Sequence, residues 1–486
     1  MTSVAAVPDL GDIELAMQAL LETQRADFLE QGPPDAAIRI DRLDRGIDGL
    51  VRYADKFVDA VSSDFGCRPR EITLLTDVAP SITALKHSKK HLKKWMKGDK
   101  RPTMFPLNLL GGRSRIEYQP LGVVGIISPW NFPVSMVFAP MSGALAAGNR
   151  VMVKPSEFTP ATSEVLATMV EDVYDPKEVL VFTGGPEVGQ AFSNLPLDHL
   201  LFTGATSIAR HIMAAAARNL VPVTLELGGK SPVIISRSAD FEKSIGRIMQ
   251  GKTMNAGQIC LAPDYLLVPE ERLHDVIAMA QKAVARMYPK LLDNEQYTSV
   301  VNERHYQRLT GYLAEAEERG VKTIAINPAG EDFSQQQGTH KIPPTLIPEP
   351  PEDLKVLQEE IFGPLLPIRT YREFSETIDY INSRPRPLAA YYFGEDAAEQ
   401  KAVETRTTSG GMCINDVIMH VGQEDLPFGG VGPSGMGSYH GIEGFRTFSH
   451  AKSIFRQTRI DIGKLSGILP PYGKATEKSI KMMVKK

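Results

Sequence analysis

The chain is short of several things at once. It has three cysteines in 486 residues, Cys67, Cys260 and Cys413. They stand far apart, fit no metal-ligand spacing, and their odd number excludes a complete disulfide framework. A reducing, cytoplasmic setting without a metal centre is the expectation. The net charge is only −4, so nothing electrostatic invites a nucleic acid. Met1 to Asp9 has neither a basic start nor a long apolar run and does not read as a signal peptide. Residues 118–149 carry no formal charge, but Pro120, Pro129, Pro133 and Pro140 with four glycines exclude one continuous membrane helix there. A buried strand, a turn and a core-facing helix fit that stretch better. The standard dinucleotide fingerprint GxGxxG is also missing at the turn after Phe202.

What remains is ordinary globular composition, 42% hydrophobic and 23% charged, long enough for two or three domains. Residues 1–100 read as helices, with Leu43, Ile47, Leu50 and Val51 at helical spacing. The basic stretch Lys86 to Trp95 reads as a solvated helix face, a phosphate-binding face being the alternative. From residue 121 short apolar runs alternate with helical segments. Strands are expected at 122–127, 150–154, 179–183, 199–203 and 223–227, with helices near 134–147, 160–172, 186–193 and 206–219. Such alternation predicts an α/β fold with a parallel sheet covered by helices. A second strand–helix series starts near 232. Residues 327–345 read as loop, 350–415 as mixed structure, 427–444 as a glycine-rich stretch, and Lys474 to Lys486 as a peripheral tail.

Parallel sheets bind ligands beyond the carboxyl ends of their strands, so the turns there matter most. Phe202-Thr203-Gly204-Ala205 ends a strand and opens a helix whose N-terminus favours a pyrophosphate. Lys154-Pro155-Ser156-Glu157 could hydrogen-bond ribose hydroxyls, or form only a surface ion pair. Gly184-Gly185-Pro186-Glu187-Val188-Gly189 is a third such turn. Beyond them stand Glu226 and, 34 residues on, Cys260. A thiolate attacks carbonyls, and a carboxylate can then activate water against the thioester. The bland alternatives are a small buried hydrophobe and a solvated carboxylate.

Six motifs in order resemble the aldehyde dehydrogenase superfamily over nearly the whole chain: Pro129-Trp130-Asn131-Phe132-Pro133, Lys154-Pro155-Ser156-Glu157, Phe202-Thr203-Gly204-Ala205-Thr206, Glu226-Leu227-Gly228-Gly229-Lys230, Gly257-Gln258-Ile259-Cys260 and Glu359-Glu360-Ile361-Phe362-Gly363-Pro364. Cys260 to Tyr265 and Leu426 to Gly441 look like the class 3 branch, and within it the chain resembles the bacterial coniferyl aldehyde dehydrogenases. The resemblance implies NAD(P)-dependent oxidation of an aldehyde to its acid. Cys260 would be the nucleophile, Glu226 the base for water, and Asn131 with the Cys260 N–H the oxyanion donors. Lys154 and Glu157 would hold the adenosine ribose, Gly185 and Gly189 the adenine side, and Phe202, Thr203, Gly204 and Ala205 the pyrophosphate. Glu360 would bind the nicotinamide ribose beside Phe362, with Ile127, Ser128 and Leu227 completing the lining. NAD is expected, with some use of NADP.

The resemblance also implies three parts. Residues 1–100 with 121–226 would bind the coenzyme, 227–420 would carry the catalytic domain, and 101–120 with 421–486 would bridge a homodimer. Two departures stand out: many relatives have Ser at the position of Ala205 and Gly at that of Ala209. The apolar run Leu465 to Leu469 is too short for a membrane anchor, so a soluble protein is expected. The substrate would be a cinnamyl-type aromatic or a medium-chain aliphatic aldehyde. Three alternatives stay open: an acylating, coenzyme A-dependent relative, a non-redox cysteine thioesterase, and a non-catalytic protein that keeps the fold.

Overall fold

The computed structural model describes residues 10–336, 338–465 and 467–485. The signal-peptide question at Met1 to Asp9 therefore falls outside the described residues. A six-stranded sheet runs in the spatial order Gly435–Met436, Val223–Glu226, His199–Thr203, Val123–Ile127, Arg150–Lys154 and Val179–Val181. Every pair is parallel except the first. Strand order reverses between Val123–Ile127 and His199–Thr203, and that switch point opens a crevice at the carboxyl ends. The strands are near-continuous apolar runs because helices cover both faces.

A second sheet, of seven strands, places Tyr265–Pro269, Pro232–Ile235 and Ala389–Phe393 at its centre, again parallel. A third is small and antiparallel: Asp99–Arg101, Arg113–Pro120 and Ser449–Arg456. The uncharged stretch 118–149 ends in the helix Ser135–Ala147, buried nearly throughout despite Pro140. Among the described residues no helix is long and apolar enough to cross a membrane.

The N-terminal helices Leu10–Gln31, Ala36–Phe65 and Ala79–Trp95 pack over the six-stranded sheet and its helices. The basic run lies on Ala79–Trp95, whose other face buries Leu85, Leu92 and Trp95. Lys89 pairs with Asp44 at 2.6 Å, and Lys86, Lys90, Lys93 and Lys94 are exposed, which favours the solvated-face alternative. Residues 327–345 are mostly loop, with a short turn at Phe333–Gln335 and a strand starting at Thr345.

Candidate active site

Glu226 is the last residue of Val223–Glu226, opposite Thr203 on one side and Gly435 on the other. Its carboxyl thus leaves the carboxyl edge of the sheet, 2% exposed, with neither oxygen hydrogen-bonded among the described residues. Burial holds its pKa well above the usual carboxylate range. Cys260 follows a turn in which Asn255, Ala256 and Gly257 all have positive φ, at 51°, 51° and 72°. The left-handed φ values of the non-glycine residues Asn255 and Ala256 are strained, and the turn leads into the half-buried Cys260. A Cβ at Gly257 would lie 2.3 Å from the Gly363 carbonyl, so glycine is required there.

Cys260 and Glu226 line one cavity of about 380 Å³, together with Phe132, Met136, Met254 and Phe428. Burial first, then the Glu360 and Glu226 carboxylates, push the thiol up to about 12, while the N–H groups of Cys260 and Leu261 pull it down. The fold has buried the acid that a bland reading left solvated, and it has set the cysteine on a cavity wall instead of wholly inside the core.

Asn131 sits beside this turn. Its Nδ2 donates to the Gln258 carbonyl at 3.2 Å, and Asn255 Nδ2 donates to the same oxygen at 3.2 Å. Arg68 Nη1 donates to the Asn131 carbonyl at 2.9 Å and pairs, fully buried, with Asp77 at 2.7 Å. Asp77 also accepts from the Val134 and Ser135 N–H groups. Sequence reasoning missed Arg68 and Asp77, and no local pattern marks them. Gln258 lay inside a quoted motif, and its side chain bonds Asn255, Ser299 and Val301.

The other expected residues gather along the crevice. Ile127 and Lys154 are register partners, and the Ser128 N–H donates to the Lys154 carbonyl at 3.1 Å. Lys154 is buried, bonds Pro155 O at 2.7 Å and pairs with Glu157 at 3.5 Å. Gly185 precedes the helix Pro186–Asn194, and the open side of Gly189 faces the Lys154 stem. Phe202 and Thr203 end their strand, and the Gly204 N–H donates to the Glu226 carbonyl at 3.0 Å. Ala205 starts the helix Thr206–Arg218 without a side-chain cap. Ala209 is buried behind it. The Leu227 N–H donates to Ser434 O at 3.1 Å.

Glu360 folds back against Gly228, where a Cβ would sit 2.2 Å from its carboxylate oxygens. The Gly229 N–H bonds it, yet burial and Asp264 raise its pKa to about 8. Phe362 packs edge-on against Trp130 at 5.3 Å. The loop is held by Arg308, which donates to Ile361 O at 2.8 Å, and by Tyr312, which donates to Glu359 at 2.7 Å.

A nicotinamide dinucleotide suits these surfaces. Uncapped N–H groups at Ala205 offer an anion site. Buried Ser128 Oγ and Glu360 Oε1 have no hydrogen-bond partner among the described residues. Such orphaned atoms cost free energy unless a ligand meets them. Among the described residues, no cluster of His, Cys, Asp and Glu could hold a metal ion.

The Aldehyde dehydrogenase family model matches residues 11–454. The chain is 56% identical to a probable coniferyl aldehyde dehydrogenase of Caulobacter vibrioides, covering 97% of each. It is 54% identical to the coniferyl aldehyde dehydrogenase of a Pseudomonas species, over 94% of this chain and 93% of the relative. The substrate-bound Staphylococcus aureus AldH structure matches with a TM-score of 0.89 at 37% identity, over 96% of this chain and 99% of that one. The chain belongs to the aldehyde dehydrogenase family and is an enzyme of NAD(P)-dependent aldehyde oxidation.

Proposed function

We propose that this enzyme oxidises a cinnamyl-type aromatic aldehyde, of the coniferyl kind, to its acid. The observation that carries the proposal is the single cavity shared by Cys260 and Glu226, with phenylalanine and methionine on its other walls. Its volume lies within the roughly 300–1,000 Å³ usual for small-molecule sites. Methionine sulfur and phenylalanine rings both favour an aryl group. Two relatives above 50% identity, named for coniferyl aldehyde, point the same way.

In this reading the Cys260 sulfur attacks the aldehyde carbon and forms a thiohemiacetal. The developing oxyanion takes hydrogen bonds from Asn131 Nδ2 and the Cys260 N–H. One such donor is worth about 2.7–4 kcal/mol of transition-state stabilisation. The coenzyme, when bound, supplies the two-electron acceptor. Cys260 then carries a thioester, and Glu226 takes a proton from the water that hydrolyses it. Once ionised, a carboxylate whose pKa burial has raised is a stronger proton acceptor than an ordinary one. Because Glu226 faces the cavity, water rather than coenzyme A is the proposed acyl acceptor.

For the coenzyme, Lys154 and Glu157 take the adenosine ribose. Gly185 and Gly189 flank the adenine, and Phe202 to Ala205 approach the pyrophosphate. Glu360, Phe362, Ile127, Ser128 and Leu227 surround the nicotinamide end. Glu157 disfavours a 2′-phosphate and Lys154 offsets that, so NAD is preferred with some use of NADP. The three-part division set out from the sequence belongs to the same proposal, as do a cytoplasmic location and a homodimer. The edge strand Ser449–Arg456, eight residues long and largely exposed, supports the dimer.

Values of kcat/KM for coniferyl, benzyl and C6–C10 aldehydes, followed as NADH at 340 nm, test the substrate. Coniferyl aldehyde should lead the series, and a clear lead for decanal would overturn the assignment. Product analysis with and without coenzyme A tests the acceptor. Free acid should form at the same rate in both.

A further inference from the structure

The cavity that ends at Cys260 carries polar groups that the reaction does not use. Glu424 and His440 line it together with Phe428. They are brought to one wall by the main-chain bridge between Phe428 and Tyr439, with N–H to O distances of 3.0 and 2.8 Å. The His440 ring stacks on Phe428, with centroids 5.1 Å apart and planes 18° apart. It is 8% exposed, and its Nδ1 has no hydrogen-bond partner among the described residues. Nor does any donor among the described residues reach the Glu424 carboxyl. The Glu424 loop is nevertheless fixed, because its carbonyl lies against Gly441, where a Cβ would sit 2.4 Å away.

Two threonines of the lining are already engaged. The Thr76 and Thr83 hydroxyls donate to the carbonyls of Ile72 and Ala79, at 2.6 and 2.8 Å. A half-buried carboxyl in an apolar cavity is costly unless something pairs with it. Burial and neighbouring Asp425 raise its pKa to about 7. Glu424 enters the cavity lining from the loop before Phe428, a segment separate from the turns that carry Glu226 and Cys260.

We propose that Glu424, with His440 beside it, recognises a hydroxyl group on the far end of the substrate, selecting a hydroxyaryl aldehyde over its unsubstituted analogue. This rests on the aromatic-substrate reading and deepens it. The phenolic O–H of a 4-hydroxycinnamaldehyde donates to Glu424, while the ring lies beside Phe428. A site built to bond a hydroxyl leaves a buried polar group unpaired when that hydroxyl is missing, which is a strong basis for selection. Glu424 is a specificity residue here and touches none of the reacting atoms.

The test compares 4-hydroxycinnamaldehyde with cinnamaldehyde in the wild type, Glu424→Leu and Glu424→Gln. Glu424 sits on a partly exposed loop, so the variants should fold, and activity on cinnamaldehyde reports that directly. Glu424→Leu should lower kcat/KM for the hydroxylated substrate roughly 10-fold or more, as expected for a hydrogen bond to a charged group. Cinnamaldehyde should change less than two-fold, and Glu424→Gln should fall between. An equal change on both substrates, or none on either, overturns the assignment. If the wild type oxidises decanal faster than both cinnamyl aldehydes, the substrate reading fails and takes this inference with it. A cinnamyl preference with an unaltered hydroxyl ratio removes only the role of Glu424.

Discussion

The Asn131 side-chain amide donates to the main-chain carbonyl of Gln258 at 3.2 Å, two residues before Cys260. The loop 129–133 and the nucleophile's turn come from different parts of the chain, and this bond joins them. One amide hydrogen is engaged in holding that turn, and the other is the donor proposed for the oxyanion. Asn131→Ala should lower kcat by roughly 10²–10³, the usual loss for one oxyanion donor. NAD binding should be nearly unchanged, since Arg68 grips the Asn131 main chain. Steady-state kinetics with coenzyme titration checks this, and an unchanged kcat would remove Asn131 from the oxyanion site.

Glu226→Gln separates the two halves of the reaction. Neither Glu226 oxygen has a partner, so an amide of the same shape breaks no ion pair and Tm should hold or rise. Rapid mixing should show a burst of NADH of about one per site, followed by slow turnover as the thioester waits for water. A steady-state rate equal to wild type would mean that another group activates the water.

Glu360 gives a pH prediction of definite sign. Its pKa rises from the ordinary 4.5 to about 8 on folding. Between those values the folded protein holds a proton that the unfolded chain has released. Stability of the coenzyme-free protein therefore falls as pH rises across that window and levels above it. Glu360→Gln removes this contribution, so its Tm should decline less between pH 5 and pH 8 than that of the wild type. The same variant should alkylate faster at Cys260 with iodoacetamide, because one of the charges that raise the thiol pKa is gone. Parallel Tm curves would refute the first expectation, and equal alkylation rates the second.

Gly257→Ala tests the strained turn. The new Cβ meets the Gly363 carbonyl at 2.3 Å and the Lys252 carbonyl at 2.9 Å, both main chain, at a φ of +72°. The left-handed conformation alone costs about 1–2 kcal/mol, and the clash adds to it. Lower Tm and loss of activity are expected together. A variant as stable and active as wild type would show that the turn can relax.

Much of the sheet was legible from local pattern. Arg150–Lys154 and His199–Thr203 fall where the apolar runs put them, because a strand covered on both faces must be apolar along its length. Val179–Val181 is shorter than expected, ending before Gly184 with its φ of +135°. Gly435–Met436 was not foreseen as a strand of this sheet. Two residues in a glycine-rich loop have no strand pattern, and their pairing exists because Val223–Glu226 offers a free edge.

The local residues decided the chemical types and their order along the chain: a thiol after Gly257, a carboxyl at a strand end, and small residues at three turns. Those are properties of side chains and short-range geometry, readable without any long-range contact. Folding decided which of them meet and in what electrostatic state. Burial raised Glu226, Glu360 and Cys260 together, the Arg68–Asp77 pair tied Asn131 to its place, and the Phe428–Tyr439 bridge helped set Glu424 and His440 in one cavity lining. Desolvation and Coulomb interaction depend on distances through space, and spacing along the chain does not encode them.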